Sequence, residues 1–128
     1  MLFLIGFLLR LVPVLLSYNL GIGLDDMFQY DMLERSLASG NGHRWYAQDD
    51  LYFVQPYIQF DLSTTDYQPR GILTSFRPPQ YPTFLAMIYF FTGSGSHRFF
   101  IVRIVQAFIG AMLVSMTYLL GKKIYREN

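Results

Sequence analysis

The chain has 128 residues, 52% of them hydrophobic and 18% aromatic, and a formal net charge of +1. Mean hydropathy is +0.26, above the range usual for soluble domains, so the composition is that of a membrane protein. The near-neutral charge gives no electrostatic basis for binding nucleic acid, and the absence of cysteine excludes disulfides and thiolate metal sites.

The first element is the run MLFLIGFLLRLVPVLLSYNLGIGL, Met1 to Leu24. A spanning helix needs about 20 mostly apolar residues, so this run is expected to be transmembrane helix 1. Its one charge, Arg10, costs on the order of 3 kcal/mol at mid-membrane and must snorkel or pair inside a bundle. Gly21 and Gly23 imitate the small-x-small end of a signal peptide. The basic n-region is missing, however, and the apolar run is too long, so a retained span is expected.

Residues 25 to 78 form a large polar loop. It opens on adjacent carboxylates, Asp25 and Asp26, either of which can cap a helix from Met27 to Ala38. Met27, Tyr30, Leu33 or Glu34, and Leu37 recur at helical spacing, with Gln29, Glu34 and Ser36 elsewhere. Asp31 and Arg35 are spaced as an i,i+4 ion pair, and Gly40, Asn41 and Gly42 end the helix. The rest of the loop has no clear period. It closes on SFRPPQYP, whose prolines stiffen the approach to the next helix and hold Arg77 at the membrane boundary.

Residues 79 to 93 have an apolar core too short for a span, and are expected as a juxtamembrane helix over Gln80 to Phe91. Phe99 to Leu120 is the second expected span, with Ala107, Ala111 and Ser115 forming a small-residue stripe for close helix approach. Every acidic residue but Glu127 lies between positions 25 and 78, while Lys122, Lys123 and Arg126 follow the second span. The positive-inside rule then puts both termini in the cytoplasm and the acidic loop outside. A three-span arrangement would put Lys122 and Lys123 outside and ranks second. The expected fold class is an all-α integral membrane protein of the cell membrane: two transmembrane helices and juxtamembrane amphipathic helices in a large extracytoplasmic loop. So few spans beside so large a loop leave little with which to close a core, and a fragment of a longer protein is expected.

If the loop folds back, Asp25 and Asp26 meet Arg77 and Arg70. A carboxylate beside cationic donors at headgroup level suits transfer from a lipid phosphate. The carboxylate takes the proton of an acceptor hydroxyl, and the arginines receive the departing phosphate. The plain alternative is a solvated helix cap beside a headgroup anchor. A divalent ion on the aspartate pair has little geometric support, because neighbouring residues on a helix diverge by about 100°. His43 and His97 stand alone, with no zinc-site spacing.

The order of motifs also resembles a known family. An apolar span, the acidic pair, Tyr30, SLASGNG, RPPQYPTFLA and RIVQAFIGAMLVSMTYLLGKKIY follow one another along the whole chain. This set resembles the N-terminal region of GT-C membrane glycosyltransferases, closest to glycosyltransferase family 39, the protein mannosyltransferase and aminoarabinose transferase type. The resemblance implies a transferase using a polyprenyl-phosphate sugar donor at the outer membrane face. It implies a catalytic aspartate at Asp25 or Asp26, and a donor-phosphate ligand at Arg77, where the family often has Lys. The family's chains are several hundred residues long, with about a dozen spans. Its partners here would be the bilayer, the lipid-linked donor and further transmembrane helices of a longer chain, and the short piece alone is expected to be inactive. The rival functions are a non-catalytic membrane subunit, in which the aspartates only cap, and a transporter fragment with Arg10 or Arg103 on a substrate path.

Overall fold

A computed structural model describes residues 1–23, 25–54 and 68–126. The elements in chain order are α1 (Leu2–Leu16), α2 (Asp26–Ala38), β1 (Arg44–Trp45), α3 (Gln48–Val54), β2 (Ile72–Leu73), α4 (Gln80–Thr92) and α5 (Arg98–Arg126). The architecture is mostly helical, with one departure from the all-α expectation. β1 and β2 pair antiparallel, Arg44 opposite Leu73 and Trp45 opposite Ile72. The stretch 55–67 of the expected outer loop lies outside the described residues. The chain divides into two compact units, Met1–Leu20 with the segment from Ser96 onward, and Gly21–Gly95.

The first unit is the α1/α5 helix pair. Its seam is built from small residues and rings. Ala107 and Ala111 are buried, and a Cβ placed on Gly6 would sit 3.9 Å from the Ala111 Cα. Close approach of this kind is what a small-residue stripe permits. Phe108 meets Phe3 and Phe7 edge-on, at 5.4 and 6.2 Å between centroids. Most other apolar side chains of the pair, among them Leu4, Leu9, Leu16, Leu113 and Met116, point outward and are exposed.

By length and composition, one helix among the described residues, Arg98–Tyr125, is able to cross a membrane. α1 is apolar but only 15 residues long, about 22 Å at the helical rise, against about 30 Å of hydrocarbon. The helix expected over Met1 to Leu24 therefore ends early, at Leu16, with Ser17 as its C-cap. Asn19, Gly21 and Gly23 follow, residues that favour turns over helix interiors.

The second unit packs α2 against α4. Of the two aspartates able to cap α2, Asp25 does so with its side chain, and Asp26 is the first helical residue, one before the expected start at Met27. It stops at Ala38, with Gly40 and Gly42 in the left-handed region at φ +77° and +82°. Met32 and Leu33 of α2 and Leu85, Ala86, Ile88 and Tyr89 of α4 form the core, joined by Leu51 of α3.

The buried face of α2 differs from the expected one. Met27 is 60% exposed, while Asp31, Glu34 and Ser36 are buried. Polar groups on that face have found partners, which offsets their desolvation. α4 runs from Gln80 to Thr92, as its short apolar length predicted. The β1/β2 contact depends on Gly71, whose φ is +90°; a Cβ there would lie 2.6 Å from the Trp45 carbonyl oxygen. His43 links the same region, with Nδ1 donating to the Thr74 carbonyl at 2.8 Å.

Candidate functional site

The site is built on the first turn of α2 and on the Pro-rich approach to α4. Asp25 has extended backbone (φ −99°, ψ −153°), and its Oδ1 accepts the Met27 N–H at 3.0 Å. That is the usual geometry of an N-cap aspartate. Asp26, one residue on, points elsewhere and forms an ion pair with Arg77 Nη2.

Arg77 is held from several sides. Its Nε and Nη2 both donate to Gln29 Oε1, at 3.1 and 2.9 Å. Its guanidinium carbon lies 5.4 Å from the Tyr30 ring centroid and 5.2 Å from that of Phe76, within cation–π range. Tyr30 in turn meets Tyr81 edge-on at 5.3 Å. The Arg77 side chain is 19% exposed and that of Asp26 69%. The cation is therefore fixed and partly covered, while its carboxylate partner is mostly in water.

Of the four residues singled out from sequence, two are brought into contact, Asp26 and Arg77; Asp25 caps the same helical turn and forms no ion pair or hydrogen bond with Arg77 among the described residues. Arg70 does not join them. It is exposed in the turn before Gly71 and forms no ion pair with either aspartate among the described residues. Sequence reasoning did not assign Gln29, Tyr30, Phe76 or Tyr81 to the site. Gln29 and Tyr30 could have been found, since i+3 and i+4 from Asp26 lie on one helix face. Phe76 and Tyr81 carry no such spacing signal.

A second polar cluster lies in the α2/α4 interface. Asp31, Glu34 and Asp50 are each at most 2% exposed. Arg35 Nε donates to Asp31 Oδ2 at 2.9 Å, the expected i,i+4 pair, and its Nη2 pairs with Asp50. The other Asp50 oxygen accepts the Ala47 N–H at 2.8 Å. Tyr89 donates its hydroxyl to Asp31 Oδ1 at 3.1 Å. Burial works to lower the Arg35 pKa, and the charges of Asp31 and Asp50 outweigh it, so the guanidinium titrates above its ordinary value. Burial pushes the Tyr89 phenol up, and the carboxylates of Glu34 and Asp31 push it further. The cluster ties α2 to α3 and α4.

In the first unit Arg10 and Arg103 bond backbone carbonyls. Arg10 Nη1 donates to the Gly6 oxygen at 3.2 Å, and its side chain lies across Gly110, where a Cβ would come within 2.8 Å of Nε. Arg103 Nη1 donates to the Ser17 oxygen at 2.8 Å, at the C-terminus of α1, where a cation suits the helix dipole. Among the described residues no group of three or more His, Asp or Glu side chains is arranged to hold a metal ion. Comparison with protein-family models, with curated proteins and with solved structures gave no match.

Proposed function

We propose that this chain is the N-terminal part of a polyprenyl-phosphate-sugar-dependent membrane glycosyltransferase of the family 39 type. It transfers a sugar to an acceptor hydroxyl at the outer membrane face, in a two-span arrangement with cytoplasmic termini. The observation that carries the reading is the meeting of Arg77 with Asp26 in the first turn of α2, 51 positions away, the turn that Asp25 caps. A fixed guanidinium next to a helix N-terminus favours a phosphate. The cap uses one oxygen of Asp25 and leaves the other as an acceptor for a hydroxyl proton.

In this mechanism Arg77 binds the donor phosphate. Asp25 uses Oδ1 for the cap and takes the acceptor's hydroxyl proton on Oδ2. The acceptor oxygen attacks the anomeric carbon as the bond from that carbon to the phosphate oxygen breaks. The bonding electron pair leaves with the polyprenyl phosphate, whose charge Arg77 offsets. Asp26 is the second carboxylate of the pair and the partner of Arg77 before the donor binds.

The test is transfer activity in membranes carrying the intact gene product. Asp25→Asn keeps an N-cap side chain, so it separates capping from base chemistry. It is expected to lower turnover with little change in donor affinity, whereas Arg77→Ala weakens donor binding as well. Full activity in both Asp25→Asn and Asp26→Asn would leave the aspartates as caps and sink the catalytic reading. Cysteine labelling of Ser63→Cys from outside, with protection of a Lys122→Cys tail, tests the topology.

A further inference from the structure

We propose that Asp26 is a displaceable stand-in for phosphate: it pairs with the Arg77 fork and is exchanged for a phosphate monoester or diester oxygen when the ligand arrives. The inference rests on the assignment of Arg77 as the phosphate ligand and adds how that site is kept poised.

The geometry separates what holds Arg77 from what merely occupies it. Gln29 Oε1 takes Nε and one Nη2 hydrogen, and the Tyr30 and Phe76 rings lie beside the guanidinium. These contacts set its orientation. The Asp26 contact differs: one oxygen, Oδ1, on one nitrogen, Nη2, with the aspartate side chain 69% exposed. Nη1 has no hydrogen-bond partner among the described residues. A guanidinium presents five N–H donors and pairs best with an oxyanion that engages two nitrogens at once. A phosphate can take Nη1 and Nη2 together, where Asp26 takes only one.

An exposed ion pair is worth at most about 1 kcal/mol, so its release costs a phosphate no more than about fivefold in affinity. Asp26 is also covalently local. It returns to the fork as soon as the ligand leaves and keeps the cation paired throughout.

The experiment measures phosphate affinity by phosphorus NMR titration of the full chain in zwitterionic detergent micelles. Two probes are used separately: inorganic phosphate, and a polyprenyl monophosphate dissolved in the micelle. Asp26→Asn and Asp26→Ser remove the competing charge at an exposed position, and helicity by circular dichroism checks that α2 still forms. The expected result is a two- to fivefold tighter Kd in both variants for whichever phosphate binds, and loss of binding in Arg77→Ala. Tighter binding of the lipid-borne probe than of inorganic phosphate identifies a lipid headgroup; equal affinity identifies the free anion. Unchanged or weaker binding in the Asp26 variants, with Arg77→Ala still defective, overturns the stand-in role and leaves Arg77 as the phosphate ligand. Unimpaired binding in Arg77→Ala, or no binding of either probe by any form, overturns both.

Discussion

The Tyr89 hydroxyl donates to Asp31 Oδ1 across 3.1 Å, between two helices 58 positions apart in sequence. Both residues are almost fully buried, so ionising the phenol is expected to weaken the α2/α4 pairing. Tyr89 has a raised pKa because burial, and then Glu34 and Asp31, disfavour the phenolate. A raised folded-state value means the contribution is complete below the unfolded tyrosine pKa of about 10. It is lost as pH climbs from there toward the folded value. Each unit of pH in that window removes about 1.4 kcal/mol. Urea unfolding at stepped pH is expected to show a steeper alkaline loss in the natural chain than in Tyr89→Phe. Parallel alkaline profiles would contradict the assignment.

Arg35→Met should be among the most damaging single changes. It strands Asp31 and Asp50, whose side chains are each 2% exposed, without their cation. Breaking a buried pair from one side costs about 3–5 kcal/mol. The midpoint of denaturant unfolding, followed by helicity, measures it. A loss under about 1 kcal/mol would mean that the carboxylates find other partners.

Gly71→Ala should loosen the β1/β2 contact. The new Cβ meets the Trp45 carbonyl oxygen at 2.6 Å, a backbone atom that cannot swing aside, and the φ of +90° is unfavourable for an L side chain. The cost is about 1–3 kcal/mol. Trp45 is the one tryptophan of the chain, so its fluorescence reports the change directly. An unshifted spectrum and an unchanged melting curve would rule it out.

Ala111→Leu should separate α1 from α5. Ala111 is completely buried against α1, and overpacking a close seam costs about 1–3 kcal/mol. Gly6→Ala is the matched control, because its nearest contacts of 3.7 to 3.9 Å are ordinary van der Waals distances. Thermal unfolding of the detergent-solubilised chain should fall for Ala111→Leu and hold for Gly6→Ala.

Much of the local structure was legible in the chain itself. A carboxylate cap at Asp25 or Asp26, the Asp31–Arg35 pair and the end of α2 just before Gly40 follow from contacts within a few residues of one another. So do the short α4 behind Pro78 and Pro79 and the small-residue stripe of α5. The early end of α1 was a matter of weighing Asn19, Gly21 and Gly23 against an apolar run. Hydropathy alone does not make that choice, because it is blind to backbone preference.

What the sequence by itself determined is a strongly apolar composition, the helical spacing of α2, α4 and α5, and the residue types gathered near the first turn of α2. Only the tertiary structure decided which aspartate faces Arg77, that Arg70 stays apart, and that Asp31 and Glu34 turn inward while Met27 turns outward. The physical reason is range. Capping and helical spacing are written within four or five residues. The worth of a buried carboxylate depends on a tyrosine 58 positions away and an arginine shared with another helix, and no local pattern records them.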